Sequence, residues 1–100
     1  MARYSSFRDF YPFYLSEHKH PMCRRLHFVG LVVAITFIVA AVAARSAWWL
    51  VPAVLVGYAF AWAGHFFFEH NRPATFKHPV YSFIGDCAMF RDMLTGRIRW

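Results

Sequence analysis

Three histidines, a glutamate and an arginine crowd the segment Gly64-His65-Phe66-Phe67-Phe68-Glu69-His70-Asn71-Arg72-Pro73-Ala74-Thr75-Phe76-Lys77-His78-Pro79, where a long apolar run meets a basic tail. Ionisable groups are expensive at the end of a hydrophobic helix, so they count as functional candidates. Imidazole is the commonest metal ligand, and several converging imidazoles suit iron, zinc or copper. The planar guanidinium of Arg72 can grip a substrate carboxylate with two bonds; the plainer reading is a juxtamembrane charge facing lipid phosphate. Glu69 has three candidate roles: metal ligand, partner that orients a ligating histidine, or ion-pair partner of Arg72.

The remaining histidines sharpen this. His27 opens one apolar run and His65 closes the next, with a polar break at Arg45-Ser46 between them. Counted from that break, His27 lies about 18 residues back and His65 about 19 or 20 forward. At ~1.5 Å per residue the two reach the same depth on antiparallel helices. His18 stands just before this layer and His78 just after it. His20, two residues from His18, and His70, five from His65, point elsewhere. His18, His27, His65 and His78 therefore form the candidate metal set, against the alternative of interfacial histidines bonded to backbone or headgroups. Asp86 reads as a partner for a basic group or a ligating histidine.

The elements that must carry these residues follow from composition. Of 100 residues, 59% are hydrophobic and 16% charged, where a soluble domain carries about 25% charged. So small a globule cannot bury that much apolar surface. The net charge of +6 does not favour nucleic acid, because the basic residues flank apolar runs; a bilayer with anionic lipid suits them better. Cys23 and Cys87 form no CxxC pair and read as packed or idle thiols. The polar, aromatic first 25 or so residues do not resemble a cleavable signal.

The chain reads as one all-α membrane domain over 1–100. Residues 1–20 form an amphipathic helix, with Phe7, Phe10, Tyr11, Tyr14 and Leu15 on one face, capped by Ser5 or Ser6 and weakened at Pro12. That face lies in the membrane interface, packs on other helices, or does both. A first span covers 22–44, with Pro21 at its start, and a second covers 47–70. Trp48 and Trp49 mark the far interface. Gly30 and Ala34 on one span, and Ala53, Gly57 and Ala61 on the other, have the spacing that lets helices approach closely. A second amphipathic helix over 79–95 carries Phe83, Ile84, Phe90 and Leu94 on its apolar face and stops near Gly96. The fold class is an integral membrane helical hairpin, two transmembrane helices with flanking interfacial helices. Five basic residues precede the hairpin, five follow it, and Arg45 alone occupies the turn. The positive-inside rule then places both termini in the cytoplasm, at the plasma membrane of a bacterium or the endoplasmic reticulum of a eukaryote.

Several segments together resemble a known family of small membrane proteins, named after a fungal 2-hydroxy fatty acid dioxygenase. They are Phe10-Tyr11-Pro12-Phe13-Tyr14-Leu15-Ser16-Glu17-His18, Arg24-Arg25-Leu26-His27-Phe28-Val29-Gly30, the Gly64–Phe76 block, and His78-Pro79 with Gly85-Asp86. The Gly-His-x-x-x-Glu-x-x-Arg-Pro-Ala pattern is the specific part. Cys23 stands where the family often has Asn, and this chain is more compact than the fungal enzyme. The resemblance implies a non-haem Fe(II) enzyme that uses O2 to shorten a 2-hydroxy fatty acid by one carbon, in α-oxidation. It maps the metal onto His18, His27, His65 and His78; the residue chemistry adds Arg72 on the substrate carboxylate and Glu69 assisting. The partners expected are the fatty acid, O2 and the bilayer, with no nucleic acid; a homo-oligomer in which a neighbouring copy walls the site is compatible. Two rivals remain: a non-catalytic protein for lipid binding or assembly, and a b-type haem carrier with two histidine ligands.

Overall fold

In the computed structural model, which describes residues 4–73 and 77–100, the chain is helical and carries no strand among those residues. Helix α1 (Phe7–Ser16) starts where Ser6 Oγ accepts the Asp9 N–H at 3.3 Å. It runs through Pro12, which leaves one backbone bond unmade. Helix α2 (Pro21–Ala44) has Pro21 in its first turn, where the missing N–H costs nothing, and His20 Nδ1 accepts the Met22 N–H at 3.0 Å. Its 24 residues span about 36 Å at ~1.5 Å each, enough for a hydrocarbon core of ~30 Å.

The turn is made by backbone geometry. Arg45 takes the left-handed conformation (φ 52°, ψ 42°). Its N–H bonds to Val42 O at 3.2 Å, and the Ser46 N–H reaches Ala41 O at 3.0 Å. This pair of bonds satisfies carbonyls that the helix end would otherwise orphan. A 3₁₀ turn (Ala47–Trp49) leads into α3 (Leu50–Ala63), which continues without a break as a π-helical segment, Gly64–Glu69. The 23 residues from Ala47 to Glu69 are again long and apolar enough to cross a membrane. Helix α4 (Pro79–Leu94) begins with Pro79 in its first turn, and the chain leaves it through Gly96 at φ 84°.

The hairpin α2–α3 closes through small residues. A Cβ on Gly30 would fall 2.6 Å from Phe60 Cβ, so only glycine fits there; Gly57 faces the Ala34 methyl. The outer faces stay apolar and bare: Val32, Ile35, Val39, Val42 and Leu55 are all exposed.

Helix α1 does not lie free. Phe10 and Tyr14 are buried against Met89 and Met93 of α4, and the Tyr11 hydroxyl donates to Asp92 Oδ2 at 2.6 Å. The inward face of α4 differs from the expected one. It consists of Ser82, Gly85, Ala88, Met89, Asp92 and Met93, while Phe83, Ile84 and Leu94 are exposed and Phe90 is half-buried. The reason is steric. A Cβ at Gly85 would lie 3.0 Å from the Tyr14 ring, so the side of α4 that can meet that ring is the one carrying glycine, not the one richest in phenylalanine. Phe90 instead stacks on Phe28 of α2 at 4.5 Å, and Arg25 donates to the Trp100 carbonyl at 2.9 Å. Together these contacts gather α1, α4 and the chain end around one end of the hairpin.

Candidate metal centre

At that end three imidazoles converge. The ring centroids of His18 and His27 are 4.5 Å apart, those of His18 and His65 4.5 Å, and those of His27 and His65 5.0 Å. All three residues are buried. His27 and His65 meet because they sit at matched distances from the turn. His18 arrives on the short connection between α1 and α2, held by Arg24, whose Nη1 donates to the carbonyls of His18 (3.2 Å) and Lys19 (2.8 Å).

The hydrogen bonds fix which nitrogen faces the centre. His18 Nδ1 lies 2.6 Å from Tyr14 O, and His27 Nδ1 lies 3.0 Å from Cys23 O. A carbonyl only accepts, so each Nδ1 carries the proton. His65 Nδ1 lies 2.7 Å from Asn71 Oδ1, and the Asn71 amide is oriented by its own Nδ2 donating to Glu17 O at 3.1 Å. In a neutral ring with Nδ1 protonated, Nε2 presents a lone pair. Burial first, and then the neighbouring His27 and His65, push the His18 imidazolium well below the usual histidine range, so this ring is neutral.

His18 Nε2 and His27 Nε2 lie 3.2 Å apart. Two lone pairs at that distance repel unless a cation lies between them. Metal–nitrogen bonds of about 2.1 Å would subtend about 100° across that gap, between octahedral and tetrahedral. Anchoring of the second nitrogen is the arrangement that orients ligating histidines and raises their basicity. The residues present therefore fit a metal ion. Cys23 joins them: ligand atoms of His18, Cys23, His27 and His65 all lie within 4.8 Å of one another. The Cys23 thiol sits 3.8 Å from His27 Nδ1. It is packed, as one of the expected readings has it, and its spacing to His27, i and i+4 on α2, is the sequence signal that puts it beside the imidazoles.

The other candidates fall elsewhere. His78 is not in the cluster. Its ring packs edge-on against Tyr4, Phe10 and Phe13, with centroids 5.3–6.3 Å away, because Pro79 starts α4 on the far side of α1's aromatic face. The carboxylate of Glu69 accepts the His20 N–H at 2.5 Å, tying the loop that carries His18 to the segment that carries His65. Arg72 is exposed; the only ion pair among the described residues joins Arg91 to Asp92, so none links Glu69 to Arg72. His20 caps α2 and His70 is exposed at φ 58°. Ala74, Thr75 and Phe76 lie outside the described residues.

One glycine and a widened helix make the cluster possible. A Cβ at Gly64 would stand 3.0 Å from Cys23 Sγ and 3.1 Å from Cys23 Cα, so glycine lets the second helix approach α2 at this layer. The π-helical turn that follows places His65 and closes with the His70 N–H on His65 O. Single π turns inside helices are frequent at functional sites. On the other side Tyr14 stacks on His18 at 4.1 Å.

The residues matched by a known family are almost the whole chain, 4–98. The chain belongs to the 2-hydroxy-palmitic acid dioxygenase Mpo1-like family. No curated protein and no solved structure matches it. Within this Mpo1-like chain, the buried centre opens on one side into a long groove of about 570 Å³. The groove runs from His27, His65 and Asp86 along Leu31, Ala34, Gly57 and Trp62 to Ile38, Ala53 and Val54, nearer the turn.

Proposed function

We propose that this protein is a membrane-embedded, Fe(II)-dependent dioxygenase that removes C1 from a 2-hydroxy fatty acid. The observation that carries the reading is the junction of a three-imidazole centre with a mostly apolar groove of about 570 Å³. Family membership supplies the reaction class. The exposed valines, isoleucines and leucines of α2 and α3 face the bilayer, whose tails deliver both the lipid and O2. The basic ends lie on the cytoplasmic side.

In this scheme His18, His27 and His65 hold the metal, with Cys23 beside them. Fe(II) held by these residues would supply oxygen activation. The chain's own residues do the rest. The Nδ1 anchors at Tyr14 O, Cys23 O and Asn71 keep the three Nε2 atoms directed inward. The groove aligns the chain and excludes water from the reacting carbons. Arg72, one residue from the groove-lining Pro73, meets the anionic head at the mouth. C1 leaves as CO2 and C2 becomes the new carboxyl carbon; O2 accepts the four electrons, and water is the third product.

A haem carrier would need two nitrogens on opposite faces of a macrocycle, a gap that Nε2 atoms 3.2 Å apart do not offer. The test is product analysis of purified, iron-loaded protein given 2-hydroxypalmitate and O2. The expected product is the acid one carbon shorter, absent for His65→Ala; no shortened acid from the wild type refutes the activity.

A further inference from the structure

Helix α4 closes the groove with two polar side chains that the packing leaves unused. Ser82 is 4% exposed, yet its Oγ has no hydrogen-bond partner among the described residues. Buried hydroxyls are almost always paired, so an orphan needs an explanation. Asp86 lies one turn further along α4, and at i, i+4 the two share a face. Both line the same groove as His27 and His65, and neither makes a hydrogen bond within the described residues. Most of the other wall is hydrocarbon, from Leu31, Ile35, Ile38, Val54 and Phe90.

We propose that Ser82 and Asp86 read the hydroxyl at C2 of an amphiphile whose acyl chain lies in the groove. This deepens the dioxygenase reading and rests on it for the substrate class. The ligand carboxylate turns toward the histidine side of the groove, which leaves the 2-hydroxyl facing Ser82 and Asp86 on α4. There its O–H donates to Asp86, and Ser82 Oγ–H donates to the hydroxyl oxygen. The bond between C1 and C2 then lies between α4 and the imidazoles. A site built to hydrogen-bond a hydroxyl rejects the analogue that lacks it, because its own polar groups are then left unpaired.

Anaerobic binding of 2-hydroxypalmitate and palmitate to the full-length protein in nanodiscs tests this without turnover. The wild type is expected to prefer 2-hydroxypalmitate by roughly ten-fold or more. Ser82→Ala and Asp86→Asn should each bring 2-hydroxypalmitate to the affinity of palmitate, with palmitate itself unchanged. Unchanged palmitate binding also certifies that each variant is folded. Ser82→Thr should keep the preference. Equal binding of the two acids by the wild type, or a preference that survives both Ser82→Ala and Asp86→Asn, overturns the proposal. A preference without any shortened product would leave this recognition intact and remove the dioxygenase reading instead.

Discussion

The two ends of the hairpin are built from similar helix but differ in what surrounds them. At the histidine end the π-helical segment and α4 pack on α2, α1 packs on α4 and the 17–20 connection brings in His18, and most buried side chains among the described residues are there. At the turn end only α2, α3 and a 3₁₀ turn remain, with Val42 75% and Trp48 69% exposed. The comparison teaches that the hairpin supplies depth and register, while the flanking segments supply the enclosure. Imidazoles at matched depth need a third ring and anchored Nδ1 atoms before they can hold an ion; the third ring and two of the three anchors, Tyr14 O and Asn71 Oδ1, come from outside the two long helices.

The strongest way to break this contrast is to remove a donor. His27→Ala or His65→Ala should abolish stoichiometric metal, read by elemental analysis of purified protein. Val42→Ala at the other end should leave metal content unchanged. Equal metal loss from both would show that the ion, if any, is not held by this cluster.

Next in size are the glycines. Gly30→Ala would force a Cβ to within 2.6 Å of Phe60 Cβ, near-backbone atoms that cannot swing away. A loss of about 1–3 kcal/mol is expected, read as a lower thermal midpoint. Gly57→Ala meets only the Ala34 methyl at 3.7 Å and should be nearly neutral. Gly64→Ala sharpens the comparison, because it presses on Cys23 Sγ and Cα. It should weaken metal binding more than its stability loss explains.

Asn71→Ala tests the anchoring of His65 directly. It removes the acceptor of the Nδ1–H and the bridge to Glu17. Loss of such a partner commonly costs 10–100-fold in metal affinity, and that is the expected range by competition with a chelator. A Gln replacement that restores part of the affinity would separate orientation from simple damage.

A smaller effect should appear in pH dependence, where two acids on α4 act with opposite signs. For Asp92 burial pushes the carboxyl up, but the Tyr11 hydroxyl and Arg91 outweigh it and hold it below its ordinary range. Its stabilisation is present above the unfolded value of about 3.9 and is lost as pH falls through the folded one. Burial alone pushes Asp86 up to about 7. Its contribution is fully present near pH 4 and below, and is lost as pH rises through about 7. Thermal midpoints of Asp92→Asn and Asp86→Asn against the wild type should therefore diverge in different windows, below pH 4 and between pH 4 and 7.

Much of the hairpin was legible because its logic is linear. The Arg45-Ser46 break, two apolar runs and a 1.5 Å rise are enough to pair His27 with His65. Family resemblance carried the site motifs, and His18 was expected near that layer. What the sequence hid was tertiary. Cys23 carries the i, i+4 signal but was set aside because it forms no CxxC pair. Asn71 is one residue of the Gly64–Phe76 block, and nothing local says that its amide joins His65 to the end of α1. His78 was assigned by proximity to the layer, yet the side of α1 on which α4 docks decides its place. The inward face of α4 misled for the same reason: Gly85 and Ser82 matter because of Tyr14 and the groove, which lie on other elements.

The smallest expected effect lies at the turn. Arg45 holds φ 52°, where a Cβ crowds the following carbonyl and glycine does not. If the turn end is shaped only by backbone geometry, Arg45→Gly should stabilise by up to about 1 kcal/mol, with metal binding and groove occupancy unchanged. The discriminating measurement is to compare Arg45→Gly with Arg45→Asn, which also tolerates the left-handed conformation. Equal stabilisation by both would locate the strain in the arginine backbone; stabilisation by glycine alone would assign it to the Cβ.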